Sequence, residues 1–170
     1  VDSALDDFEG RVKSDDIKID LLEVKNEDIS DVLQTLAQKG RLNIITGPNG
    51  IGKTNLLDSI HYLCFTRSYF TRMDAGNVKH GDSGFRIEGE LQLLDKNEKA
   101  VCILRETGRK EFSVNDAAYD KFSLHIGRYP CVVIAPDDAD LITGGSEERR
   151  RFLDALLSQL DTTYLQHLIL

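Results

Sequence analysis

The sequence predicts an α/β fold on three observations. Leu42 to Ile45 form a short apolar run leading directly into a glycine-rich turn; apolar and polar residues alternate between Phe85 and Val114; and a helical apolar period begins at Ser146. The first gives a strand, a tight turn and a helix in that order. The second gives antiparallel strands, and the third a helical segment that follows them.

Taken in order, Ile17 to Val24 reads as a strand. Ile29, Val32, Leu33, Leu36 and Ala37 then recur at the period of a helix with one buried face, capped by Asp28 or Ser30 and ended by Gly40. After the glycine-rich turn, Leu56, Leu57, Ile60, Leu63 and Cys64 form a stripe with which the next helix packs on a sheet. Phe85, Ile87, Leu91 and Leu93 alternate with polar residues. So do Val101, Ile103, Phe112 and Val114, with turns at Asp95-Lys96-Asn97 and near Gly108. Cys131 to Ala135 is expected to add an apolar strand stopped by Pro136. Ser146 is expected to cap a helix carrying Glu147 and Glu148 in its first turn, and two helices should meet near Asp161. The apolar period runs to Leu170 without a stop signal, so the chain is expected to be part of a longer protein.

Composition narrows the class. Hydrophobic residues at 41% and charged residues at 29% match an ordinary globular chain, and no apolar run approaches the roughly 18 residues of a membrane span. Val1 to Gly10 is acidic, unlike a secretory leader, which points to the cytoplasm and no membrane partner. Residues 1–40 hold 11 acidic and 5 basic residues, whereas the other 130 hold 18 and 16, so most of the net charge of −8 lies outside the glycine-rich region. A local anion-binding groove is compatible with that distribution. Cys64, Cys102 and Cys131 are odd in number, widely separated in sequence and set in apolar surroundings, as structural thiols are. His61 and Cys64 share a helix face at i, i+3, but His80, His125 and His167 are scattered, and no zinc is expected.

The chemistry lies in Gly47-Pro48-Asn49-Gly50-Ile51-Gly52-Lys53-Thr54, which matches G-x-x-x-x-G-K-[ST], the phosphate-binding P-loop, at every fixed position. Glycines allow the backbone to curl so that its N–H groups face a phosphate at the positive end of the following helix. Lys53 supplies a mobile charge for the β- and γ-phosphates, and the Thr54 hydroxyl is a hard oxygen ligand for Mg2+. With Asn55 beside them, these residues predict ATP with Mg2+ as the ligand.

Hydrolysis needs a further group to orient water. Asp137 and Asp138 follow the apolar Cys131–Ala135 run as the acids of a Walker B strand would, yet Pro136 displaces them from the strand end, which favours a strand stop and cap. The catalytic residues are therefore left unassigned.

Gly47 to Leu57, Thr66-Arg67-Ser68-Tyr69, and Pro136 through Asp154, ending in Gly145-Ser146-Glu147-Glu148-Arg149-Arg150-Arg151-Phe152-Leu153-Asp154, together resemble the RecF family of bacterial recombination mediators over roughly residues 41 to 170. The resemblance implies an ABC/SMC-like P-loop ATPase lobe with an added antiparallel sheet over 41–135, followed by the start of a helical arm over 136–170. Residues 1–40 form an acidic segment lacking the family's N-F-R-x-Y-like element. The resemblance also implies an ATP-dependent homodimer around gapped or junction DNA, partners of the RecR and RecO type, recombinase loading, and weak DNA-dependent ATPase activity with little turnover by this portion. The signature motif and Walker B acids would lie in a C-terminal half. Leu141-Ile142-Thr143-Gly144-Gly145-Ser146 faintly resembles the L-S-G-G-Q signature of ABC-type ATPases, but it follows the only Walker B candidate instead of preceding it. Arg67 is implied as a nucleotide or DNA phosphate contact, although a solvated arginine is its plain reading. Arg149, Arg150 and Arg151 fan out at about 100° per residue, so that Arg149 or Arg150 would reach DNA or a partner subunit while another pairs with Glu147. The alternatives are another SMC-like ATPase, or an ATP-switched protein-interaction module that does not touch DNA.

Overall fold

The computed structural model describes residues 19–23, 42–93 and 96–170. The chain divides into two compact units, one up to Leu56 and one from Leu57 onward. In the first, β1 (Ile19–Glu23) pairs in parallel with β2 (Leu42–Thr46), with Leu21 opposite Ile44. The expected helix over Ile29–Ala37 lies outside the described residues. From β2 the chain passes through the glycine-rich turn into α1 (Lys53–Phe65).

The second unit is organised on a four-stranded antiparallel sheet, β3 (Phe85–Leu93), β4 (Lys96–Leu104), β5 (Lys110–Val114) and β6 (Ala117–Ala118), paired in that order. Partners in an antiparallel ladder present side chains to the same face. The register therefore aligns Ile87, Cys102 and Phe112, and next to them Gly89, Ala100 and Val114. Tyr62, Leu63, Cys64 and Phe65 of α1 pack on that face. Gly89 makes the close approach possible, because a Cβ there would stand 2.5 Å from Leu63 Cδ1.

Several expectations are corrected. On β4, Ala100, Cys102 and Leu104 share the face that meets α1, while the expected Val101 is also buried, on the other face, and Ile103 is half-buried. Lys96 and Asn97 belong to β4, opposite Leu93 and Gln92, and do not form the turn. Leu57 is 48% exposed, because α1 buries the whole circumference of its last turns instead of one continuous stripe. Cys131–Ala135 pairs with no strand among the described residues. It carries no regular secondary structure, and Val132 and Ile134 are exposed, so the apolar run reflects alternation without a ladder partner.

The helical part comprises α2 (Asp140–Thr143), α3 (Ser146–Leu160) and α4 (Thr162–Ile169). Asp161 makes the expected break: its carboxylate accepts the N–H groups of Thr163 (2.7 Å) and Tyr164 (3.3 Å), capping α4. Gly145, not Ser146, occupies the N-cap of α3, and no side chain closes that end.

The core contains a histidine. His125 has no exposed surface and packs against Phe112 (centroids 4.3 Å apart), Tyr119 and Tyr129. Its Nε2 donates to the Leu63 carbonyl at 2.8 Å, since a carbonyl can only accept, while the buried Nδ1 has no partner among the described residues. Burial lowers the His125 pKa below 6.5, outweighing the carbonyl contact that raises it, and His61 is lowered for the same leading reason. Both rings hold a proton less tightly in the folded chain than in the unfolded chain, which takes up their protons near pH 6.5. Stability is then fully present above that pH and declines as pH falls below it, before the carboxylates protonate. Thermal unfolding followed from about pH 7.5 to about pH 5.5 should show a falling midpoint, with a shallower slope in His125→Gln.

Candidate nucleotide site

The turn between β2 and α1 uses glycine where the backbone demands it. Gly47, Gly50 and Gly52 have φ values of 148°, 84° and 100°, and a Cβ at Gly50 would meet nothing within 4 Å, so conformation and not space selects glycine there. Leu56 N–H donates to the Gly52 carbonyl at 2.9 Å, the first helical hydrogen bond of α1. The N–H groups of Lys53, Thr54 and Asn55 precede that ladder and are among the donors a helix start leaves without helical partners. Lys53 Nζ folds back and donates to the carbonyls of Gly47 and Pro48, both at 2.8 Å. Its charge is thus held over the loop by two acceptors that a stronger anionic acceptor can replace. Pro48, Asn49, Gly50, Thr54 and Asn55 are exposed, and Ile51 is half-buried.

These residues fit a nucleoside triphosphate with magnesium. The loop gathers a cation, helix-start amides and an open hydroxyl in eight consecutive residues, and among the described residues Lys53 is held by backbone carbonyls.

The second unit positions the remaining candidates. Past α1, Thr66 adopts a φ of 59°, rare for a β-branched residue. The turn is held by Lys110, whose Nζ donates to the Thr66 carbonyl at 2.8 Å and pairs with Asp74 at 2.8 Å. Arg67 is exposed on this turn, and its carbonyl accepts from His61 Nδ1 at 3.0 Å. Asp58 of α1 fixes the next residues, accepting from Ser68 Oγ at 2.6 Å and Tyr69 N–H at 2.7 Å, while Ser68 Oγ in turn accepts from the N–H groups of Phe70 and Thr71. Sequence reading passed over Asp58, Ser68 and Lys110. The available signal was a carboxylate interrupting the apolar pattern of α1, ten residues before a serine.

Asp138 is a cap. Its carboxylate accepts the Ala135 N–H at 2.5 Å and the Tyr69 hydroxyl at 2.6 Å, and burial together with this carboxylate raises the Tyr69 pKa to about 12. Asp137 is exposed, and neither acid follows a paired strand. On α3, Arg149 donates to the carbonyls of Gly144 (3.1 Å) and Leu141 (3.4 Å), Arg150 is exposed, and Arg151 pairs with Glu147 at the expected i, i+4 spacing.

A model of the AAA domain matches residues 9–155. The chain belongs to the AAA domain family. Within it, the relatives are RecF proteins, in keeping with the resemblance read from the motifs. The chain is 50% identical to "DNA replication and repair protein RecF" of Flavobacterium johnsoniae over 129 residues, 76% of this chain and 36% of that protein. It is 42% identical to the protein of the same name from Parabacteroides distasonis over 152 residues, 89% of this chain and 40% of that protein. The chain thus spans well under half the length of these curated relatives. Among solved structures it is similar to that of the recombination mediator protein RecF with ATP, in the RecFOR pathway, with a TM-score of 0.70 and 24% identity over 90% of this chain and 36% of that one. That likeness shows the fold: an α/β P-loop lobe with an added antiparallel sheet and a helical segment after it. No helix among the described residues is long and apolar enough to cross a membrane.

Proposed function

We propose that this chain is the nucleotide-binding portion of a RecF-like DNA replication and repair protein. Gly47 to Lys53 cradle the phosphates of ATP, Lys53 serves the β- and γ-phosphates, Thr54 ligates Mg2+, and Asn55 lies at the rim. The observation that carries this reading is the left-handed glycine loop with Lys53 bridged to its carbonyls at the start of α1. RecF relatives and a RecF–ATP structure of the same fold support it.

Occupancy of the loop acts as a switch. ATP joins two subunits around DNA at gaps or junctions, recombination mediators of the RecR and RecO type recognise that state, and slow hydrolysis releases it. Arg67, Arg149 and Arg150 are the basic groups assigned to nucleotide or DNA phosphate. Arg149 contacts carbonyls and pairs with no carboxylate among the described residues, which favours that assignment. Residues 41–135 act as the ATPase lobe and 136–170 as the start of the arm, in the bacterial cytoplasm. Turnover by this portion is small, since Asp138 is committed to Ala135 and Tyr69.

Calorimetric titration of ATP into the 170-residue chain tests the core of this proposal. Saturable binding of one nucleotide per chain should weaken when Mg2+ is chelated, and Thr54→Ala should bind equally with and without the metal. Wild-type chain that is folded yet gives no saturable heat would overturn it.

A further inference from the structure

The segment that follows α1 sorts its side chains by charge. From Thr66 to Asn77 its polar and acidic groups are spent inward. Ser68 Oγ donates to Asp58 at 2.6 Å, the Tyr69 hydroxyl to Asp138 at 2.6 Å and Thr71 Oγ1 to Asn77 Oδ1 at 2.8 Å. Asp74 accepts from the Tyr62 hydroxyl and pairs with Lys110 at 2.8 Å. The cations are left outside: Arg67 and Arg72 are exposed and form no ion pair among the described residues. Phe70 and Met73 alternate with them and keep 47% and 75% of their surface exposed. One exposed apolar side chain is ordinary, but two of them interleaved with two arginines between positions 67 and 73 make a mixed cationic and apolar surface. With Asp74 neutralised inward, its charge is positive although the chain as a whole carries −8.

The backbone under this surface is fixed. Ser68 Oγ accepts from the N–H groups of Phe70 (3.1 Å) and Thr71 (3.0 Å), and Gly76 N–H donates to the Met73 carbonyl at 3.0 Å. Lys110 holds the Thr66 carbonyl at the start of the turn. The four exposed side chains thus stand on one hydrogen-bonded segment, and little ordering of the chain is needed when a ligand arrives.

We propose that Arg67, Phe70, Arg72 and Met73 form a contact surface for single-stranded DNA, Phe70 stacking on an unpaired base and the two arginines holding phosphates that flank it. The inference rests on the DNA reading given above and deepens it: at a gap or junction this turn takes the unpaired strand. The chemistry selects that ligand. A guanidinium fork matches a phosphate, and an aromatic face matches a base. In a duplex the base faces are stacked on one another, so phosphates could use the arginines but Phe70 would gain nothing. Met73 adds an unbranched, polarizable side chain that adapts to whichever base lies over it.

The chain contains no tryptophan, so Phe70→Trp places a single fluorescent reporter at the stacking position. Titrating that variant with a deoxythymidine oligonucleotide should quench its emission saturably, whereas heparin, a polyanion without bases, should not. Anisotropy of the labelled strand with the 170-residue chain gives affinities. Phe70→Ala should weaken binding by roughly five- to a hundredfold, the range of one lost base–aromatic stack, and Phe70→Tyr should restore most of it. Arg72→Ala should reduce the slope of log affinity against log salt by about 0.7, as one lost single-strand phosphate contact does. Both side chains are on the surface, and circular dichroism checks that each variant folds. Wild-type affinity in Phe70→Ala, equal quenching by heparin, or no saturable binding of the single strand by the folded wild-type chain would each overturn the inference. Binding confined to duplex and unchanged in Phe70→Ala would overturn it while leaving the DNA reading in place, and calorimetry with ATP reads the nucleotide site separately.

Discussion

Lys53→Ala should abolish measurable ATP binding while leaving the unfolding midpoint nearly unchanged. The reason lies in what Lys53 touches. Among the described residues its ammonium donates to the Gly47 and Pro48 carbonyls of its own loop, both near the surface, so truncation leaves none of them buried without a partner. The cost to the ligand is of another order. Hydrogen bonds to charged groups contribute about 1.5–3 kcal/mol each, and a P-loop lysine serves two phosphates, so affinity should drop by roughly two orders of magnitude or more. Lys53→Arg should restore little, because a planar fork replaces a compact point charge inside a tight turn. Calorimetry on Lys53→Ala checks the binding and circular dichroism the fold; an unchanged dissociation constant would remove this lysine from the site.

The phosphate loop was readable in sequence because its constraints are local. Gly47, Gly50 and Gly52 are required by the φ angles of single residues, and Lys53 and Thr54 by their place at a helix start. The β3 and β5 faces were legible for the same reason, as one strand's alternation reports its own exposure. What escaped depended on partners elsewhere in the chain. The phase of β4 is set by pairing Cys102 with Ile87 and Phe112, not by its own composition. Cys131–Ala135 has a strand's composition without a strand's ladder. Asp138 reads as a cap because Pro136 displaces it, but its second partner, the Tyr69 hydroxyl 69 positions away, has no signal in sequence. His125 gave no periodic signal, because a buried imidazole is justified by a single carbonyl at Leu63 and three aromatic neighbours.

Phe112→Ala should have the opposite profile, a large loss of stability in the second unit. Phe112 is 2% exposed, stands opposite Cys102 in the ladder and stacks obliquely on His125. Removing the ring forfeits its transfer free energy and leaves a void, which for a buried Phe→Ala change costs about 3–5 kcal/mol. Collapse cannot refill the space cheaply, because β5 is held on both sides by β4 and β6 and His125 is fixed to the Leu63 carbonyl. Set against the roughly 5–15 kcal/mol that holds a domain together, the loss is a large fraction of the whole. Phe112→Leu, which keeps most of the volume, should cost less than about 1.5 kcal/mol. Urea unfolding of the three proteins would show the ranking, with the Ala variant's midpoint well below the Leu variant's. If the Ala variant unfolded with the wild-type midpoint, the core formed by the inner sheet face, α1 and His125 would not be what sustains this unit.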